Sequence, residues 1–283
     1  MGTLYLVATP IGNLEDISPR ALRTLREARL IAAEDTRHTR GLLTHFDIHT
    51  PLTSYFEHNK LSKLENILGA LEAGDVALVS DAGTPAINDP GYELVCAALA
   101  AGHTVSPIPG PSAPLAALAA SGLPTDSFLY LGYLPRKSSE RRALLAQVAE
   151  LPYTLIFLET PHRLLEALDD MLSTLGDRPM AAARELTKVH EEMRRGTISQ
   201  VKAHFTEQEP RGEFTFVVQG RQTVDDGQWT EEQLLSSIQQ GLKTQRPAKE
   251  LAAELAKLSG WPRREIYDLI HARARNNQGT STL

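Results

Sequence analysis

The chain has 283 residues and a single cysteine, Cys96, so an intrachain disulfide and a cysteine-ligated metal are excluded. No stretch of about 18 apolar residues runs without a charge. Met1 to Leu14 has neither the basic start nor the long apolar run of a secretion signal, so a cytoplasmic protein without a membrane role is expected. Excess positive charge is also lacking: the formal net charge is −6, which argues against a molecule coated in basic surface for nucleic acid but leaves room for a local basic patch. Three common catalytic or nucleotide signatures are missing as well. There is no Gly-x-x-x-x-Gly-Lys-Ser/Thr, no Gly-x-Gly-x-x-Gly after a strand and no Gly-x-Ser-x-Gly, which removes P-loop, dinucleotide and nucleophile-elbow readings. His45 and His49 stand four apart without a third ligand in frame, and His190 to Arg194 has no second histidine, so no metal is expected. Cys96 itself lies in the apolar run Leu94 to Ala98 and reads as a buried small residue rather than a reactive thiol.

What is present is ordinary globular composition, 42% hydrophobic and 23% charged, which supports a packed core over most of the length. The chain is long for one core, so two domains with a small appendage are expected. Strand-like runs occupy Leu4 to Ala8, Leu30 to Ala33, Val76 to Ser80, Thr104 to Ile108, Phe128 to Leu131, Thr154 to Leu158, Met180 to Arg184 and Phe214 to Gln219. Helical patterns lie between them, the first opened by Ser18 as N-cap and Pro19 at the first helical position. This alternation predicts an α/β protein with βαβ units and a mostly parallel sheet. Boundaries fall at Gly122 to Asp126 and at Gly220 to Gly227, dividing the chain into α/β domains over 1–122 and 123–222 and a helical module over 228–276. Within that module Ser259-Gly260-Trp261-Pro262 separates two helices as in a helix-turn-helix unit. From Lys243 to Arg275 eight basic residues face four acidic ones, making it locally positive.

Open α/β sheets bind ligands beyond the carboxyl ends of their strands, so the loops there are the most informative positions. Four combine glycine or proline with polar side chains: Thr9 to Leu14, Ser80 to Pro85, Pro109 to Ala113 and Glu159 to Arg163. Glycine lets a ligand approach the backbone and proline fixes the turn, so such loops present N–H and C=O groups at little ordering cost. One such loop alone is ordinary turn chemistry; four together point to a binding cleft.

Taken as a set, Thr9-Pro10-Ile11-Gly12-Asn13, Ala33-Glu34-Asp35-Thr36-Arg37, Ser80 to Pro85 with Asn88-Asp89-Pro90-Gly91, Pro109-Gly110-Pro111-Ser112, Glu159 to Arg163, Ala183 to Lys188 and Gly212-Glu213 resemble the ribosomal RNA small subunit methyltransferase I family of the tetrapyrrole methylase superfamily. The match runs in order over about Leu4 to Gly220, and the basic tail resembles that family's C-terminal module. The resemblance implies two α/β domains of the tetrapyrrole methylase type with the cofactor cleft between them. It implies a homodimer that transfers methyl from S-adenosyl-L-methionine to the ribose 2′-hydroxyl of a cytidine in the decoding region of small-subunit rRNA, free or within the assembled small ribosomal subunit. By motif it places Pro10, Asp81, Thr84, Ser112 and Ala113 at the cofactor from the first domain, and Leu158, Arg184, Glu213 and Phe214 from the second. Methylases of tetrapyrroles carry a glycine-rich, acidic first loop where this chain has Thr9 to Asp16, which favours the RNA branch.

Methyl transfer is an in-line displacement that chiefly needs alignment, with a base or hydrogen bond at the hydroxyl to help. Glu34, Asp35 and His38 are candidates for orienting that hydroxyl, with Arg37 and Arg40 on phosphate; a helix start that places two acids near its positive end explains Glu34 and Asp35 equally well. Lys188 is a further candidate base. For RNA, Arg136, Lys137, Arg141 and Arg142 form a basic cluster after Tyr133, which can stack a splayed base, and Arg263 and Arg264 add charge in the tail. Two other readings compete: carbon methylation of a tetrapyrrole or other small metabolite, and a ligand-sensing DNA-binding regulator.

Overall fold

The computed structural model describes residues 2–56, 60–208, 210–222, 229–243 and 246–278. The expected linker at Gly220 to Gly227 lies largely outside them. The chain divides into two compact units, Met1–Gly220 and Arg221–Leu283. No helix among the described residues is long and apolar enough to cross a membrane.

The first unit contains two five-stranded sheets. One is built from β1 (Thr3–Val7), β2 (Leu30–Ala33), β3 (Leu52–Ser54), β4 (Val76–Val79) and β5 (Thr104–Ile108) in the order β3-β2-β4-β1-β5, and every pairing in it is parallel. Helices α1 (Pro19–Glu27), α2 (Thr36–His45), α3 (Lys60–Ala73) and α4 (Tyr92–Ala100) connect these strands. β2 and β4 are apolar almost throughout, as strands covered on both faces must be. Helix α1 starts as its sequence requires. The Ser18 hydroxyl accepts from the Ala21 N–H at 3.0 Å, Pro19 sits at the first turn, and Ala21 and Leu25 face the core.

The second sheet corrects the expectation of parallel strands. Its order is β6 (Phe128–Tyr133), β7 (Thr154–Glu159), β10 (Phe214–Val218), β8 (Pro179–Arg184) and β9 (Glu192–Thr197). Only β6 and β7 are parallel; β10 runs antiparallel to both β7 and β8, and β9 antiparallel to β8. Two strands have no clear signal in the sequence. β3 is three residues long, and β9 carries Glu192, Arg194 and Arg195 on a sheet edge, where charge discourages pairing with other chains. Phe157, Phe214 and Phe216 form the centre of this half, together with Leu168 and Met171 of α7 (Leu164–Leu175) and Phe205 of α8 (Ile198–Glu207). Each such side chain contributes roughly 1.5–3 kcal/mol on burial.

Helix α5 (Ala113–Ser121) precedes Gly122, which takes the left-handed conformation and stops it as expected. It nevertheless packs on the second sheet, with Ala117 and Leu118 against Ile156, Ala181, Ala183 and Val217. The second unit is a bundle of α9 (Glu231–Lys243), α10 (Ala248–Ser259) and α11 (Arg263–Gln278) around Leu234, Ile238, Leu251, Leu255, Ile266 and Ile270. Thr230 and Gln233 cap α9 reciprocally, at 3.2 and 3.0 Å.

Two sequence expectations are overturned by packing. Cys96 is exposed, because α4 turns Tyr92, Cys96 and Leu99 outward and buries Leu94 and Ala98. Arg141, expected to meet RNA, is 1% exposed on α6 (Ser138–Val148), and its Nε donates to Asp170 at 2.7 Å. Removing one partner of a buried ion pair strands the other charge. Asp170→Ala should therefore destabilise the protein by about 3–5 kcal/mol in urea unfolding, and Arg141→Met in that background should restore part of the loss.

Candidate active site

The carboxyl ends of the first sheet's strands are tied to one another by short bonds. Thr9 and Gly83 exchange N–H donors and carbonyls at 2.9 and 3.0 Å, joining the loops after β1 and β4, and the Thr9 hydroxyl donates to Ser80 O at 3.2 Å. Between the β2 and β4 loops the Asp35 N–H donates to Asp81 Oδ1 at 3.1 Å, while the Asp81 N–H donates to Glu34 Oε2 at 3.3 Å. The Thr84 hydroxyl reaches Pro111 O at 3.4 Å in the loop after β5. Loops rich in glycine and proline thus become one rigid rim.

Opposite stands a rim from the second sheet. Glu185, after β8, accepts from Lys188 Nζ at 2.9 Å and from the Glu213 N–H at 3.2 Å. The two rims touch at two glycines. Gly12 lies against Thr187 and Lys188, and Gly132, at φ +65°, lies against Asn88; a Cβ at either position would collide. Between them is a cavity of about 240 Å³ that Asp81, Thr84, Asp89, Tyr133, Leu158 and Glu213 help to line. Five non-glycine residues among those described have positive φ, and four of them, Ala86, Asn88, Glu185 and Thr187, lie in the loops on these rims. Such conformations cost on the order of 1 kcal/mol or more each and persist where surrounding contacts enforce them.

The cavity is acidic. Glu34, Asp81, Asp89, Glu185 and Glu213 line it, and Lys188, already paired with Glu185, is the one basic residue among the described lining residues. Burial, then the negative charge of Glu34, push the Asp89 carboxyl up to about 6, against the opposing hydrogen bond from the Ser80 hydroxyl. Glu34 is raised as well, chiefly by burial. Asp35 behaves oppositely: hydrogen bonds from Arg37, at 2.6 Å to one oxygen, hold it far below the usual carboxylate range. Tyr130 is pushed up to about 12 by burial, with Tyr133 and Asp89 adding to it.

A cleft of this form, on two sheets of this topology, has relatives. The sequence model for tetrapyrrole (corrin/porphyrin) methylases matches residues 3–202. A protein of Halalkalibacterium halodurans, ribosomal RNA small subunit methyltransferase I, is 48% identical over 95% of both chains. The protein of the same name from Synechocystis is also 48% identical, over 95% of this chain and 97% of its own. The chain belongs to the ribosomal RNA small subunit methyltransferase I family. Its fold is that of the tetrapyrrole methylases. Uroporphyrin-III C-methyltransferase of Thermus thermophilus, solved in complex with S-adenosylhomocysteine, superposes with a TM-score of 0.53 at 21% identity, over 76% of this chain and 97% of that one.

Of the residues expected at the cofactor, the cavity brings together Asp81, Thr84, Ser112, Ala113, Leu158, Glu213 and Phe214, and it also takes in Glu34, Lys188 and Tyr133. Pro10 and Arg184 are neighbours of lining residues but not lining residues themselves, and Arg184 is turned to Glu192 at 3.1 Å. Asp35 and His38 lie off the cavity, Asp35 bound to Arg37 and His38 exposed on α2. Arg37, Arg40, Arg136, Lys137 and Arg142 are exposed, as are Arg263 and Arg264 at the start of α11. Asp89 and Tyr130 line the cavity without having been singled out. The acid in Asn88-Asp89-Pro90-Gly91 reads as a turn residue, and only its position among distant carboxylates marks it.

The raised Asp89 carboxyl has a consequence for stability. Its folded-state value near 6 exceeds the ordinary 3.8, so between these values the native protein binds more protons than the unfolded chain and stability falls as pH rises. Allowing for solvent screening at a partly exposed group, the loss is roughly 1 kcal/mol. Asp89→Asn should therefore be more stable than wild type by about that amount in urea unfolding at pH 7.5, with the difference vanishing near pH 4.

Proposed function

We propose that this protein transfers a methyl group from S-adenosylmethionine to the ribose 2′-hydroxyl of a cytidine in small-subunit ribosomal RNA. The observation that carries the reading is an acidic, two-sided cleft at the carboxyl ends of the strands, in a chain nearly half identical to methyltransferases of that name. The charge of the cleft suits a cationic methyl donor and opposes a phosphate-rich one.

The residues present fit the cofactor. Asp81 and Glu213 offer carboxylates to its hydroxyl and ammonium groups, and Leu158 and Phe214 offer apolar surface to its base. At the start of α5 the Ser112 side chain makes no capping bond and Pro114 has no N–H, so the N–H groups of Ala113 and Leu115 are the ones open to a carboxylate. When bound, S-adenosylmethionine supplies an electrophilic methyl group on a positively charged sulfur. The two rims hold the reactants in line and keep bulk water out, and alignment of this kind accounts for much of the rate in such displacements.

The same charge shapes RNA recognition. Phosphates are repelled from the cleft, so a single ribose enters while its neighbours stay outside. Exposed Arg37, Arg40, Arg136, Lys137 and Arg142 supply phosphate contacts, and Tyr133, 48% exposed, offers a stacking face. Arg263 and Arg264 form a second basic surface on the helical module. A homodimer completes the reading: Tyr92, Cys96 and Leu99 make an exposed stripe along α4 that a second copy can cover.

Labelled methyl should enter one ribose 2′-oxygen of small subunits from cells lacking the protein, with free rRNA run in parallel. Asp81→Asn should weaken cofactor binding by at least about tenfold in calorimetry, the loss expected for a charge-assisted hydrogen bond. Label appearing in a tetrapyrrole and in neither RNA acceptor would refute the proposal. Leu99→Glu should shift a dimer towards monomer in sedimentation.

A further inference from the structure

We infer that Asp89 is the catalytic residue that takes the proton from the acceptor hydroxyl, a step that rests on the methyl-transfer reading of the cleft. Three of the other candidate acids and bases are unavailable: Asp35 is bound to Arg37, Lys188 to Glu185, and His38 is exposed away from the cavity. Glu34 lines the cavity with one oxygen accepting from the Asp81 N–H. Asp89 lines the cavity close to buried Ser80, and a carboxylate has about four lone-pair sites with which to accept.

Its placement is enforced from both sides. Ala86 and Asn88, in the same loop, hold left-handed backbone, and Asn88 is seated against Gly132 of β6, so the loop that carries Asp89 from the first sheet is braced by the second. Charged and titratable groups face it from each neighbouring element: Glu34 after β2, Asp81 after β4, Tyr130 and Tyr133 on β6, and Glu213 before β10; Glu185 and Lys188, after β8, share the cavity. Burial first, and then the surrounding negative charge, make the carboxylate more basic than an ordinary one, and it is still ionised at neutral pH, as a general base should be.

The step balances. The acceptor oxygen's lone pair forms the bond to the methyl carbon, the electron pair of the broken carbon–sulfur bond stays on sulfur, and the O–H proton passes to an Asp89 oxygen. A sulfonium cation and a carboxylate anion are thereby neutralised together, which a partly desolvated site favours.

The test uses the full chain, small ribosomal subunits and saturating S-adenosylmethionine, with kcat followed against pH for wild type, Asp89→Asn, Asp89→Glu and Glu34→Gln. Calorimetric cofactor binding and a proton titration of the ligand-free proteins accompany it. Wild-type kcat should rise through a limb near pH 6, and Asp89→Asn should lose about 10²- to 10⁴-fold in kcat with cofactor affinity within about threefold. Asp89→Glu should recover part of that loss. Glu34→Gln should move the limb to lower pH, because one repelling charge is gone. The proton taken up near pH 6 by wild type should be missing from Asp89→Asn. An active wild type with an equally active Asp89→Asn overturns this inference alone, as does a limb near pH 6 that persists unchanged in Asp89→Asn. A wild type inactive on every RNA acceptor, with its titration near pH 6 intact, overturns the methyl-transfer reading itself.

Discussion

Mutual repulsion among carboxylates in one half-buried cleft is the constraint around which the first unit is organised. Glu34, Asp81, Asp89 and Glu213 come from three separate segments, and bringing them together opposes folding. The structure offsets that repulsion locally. Backbone N–H groups of Asp35 and Asp81 are spent on the neighbouring acids, and Lys188 neutralises Glu185. What remains uncompensated is a negative field with a shaped entrance. A site that needed only stability would have removed one of these acids; retaining all of them exchanges stability for electrostatics.

Rigidity follows from the same arrangement. The glycines and prolines after β1, β4 and β5 allow three loops to approach closely enough for Thr9 and Gly83 to exchange bonds and for Thr84 to reach Pro111. Left-handed Ala86, Asn88, Glu185 and Thr187 are tolerated because each lies in a loop braced at a rim contact. Charge held at fixed positions acts without reorganising, which is the form in which electrostatics is most useful to a reaction.

Much of this was legible in the sequence because the relevant features are local. Strand hydrophobicity, the Ser18-Pro19 helix start, the stop at Gly122 and the Gly/Pro loops each depend on a few consecutive residues. What was not legible depends on partners far along the chain. Arg141 sits in a run of exposed cations and is buried only because Asp170, 29 residues on, meets it. Cys96 lies in an apolar run, yet the face it occupies on α4 has no partner within the chain described. The direction of β10 could not be read from its own composition, since a fully buried strand looks the same parallel or antiparallel. Asp89 is the extreme case: its neighbours spell a turn, and its chemistry comes from Glu34, Asp81 and Glu213.

Helix α5 carries a consequence for synthesis. Its inward face, Ala117 and Leu118, is covered by β7, β8 and β10, and the last of these, with Val217, is translated about 100 residues later. At ordinary elongation rates of about 5–20 residues per second the helix waits some seconds for its partner strand. Its composition of alanine with two leucines, Leu115 and Leu118, keeps the surface exposed in that interval small and free of β-branched residues, a poor seed for strand-type aggregation. The helix that joins the two halves of the cleft is thus also the piece best suited to emerge early from the ribosome and remain uncovered until the sheet it belongs to exists.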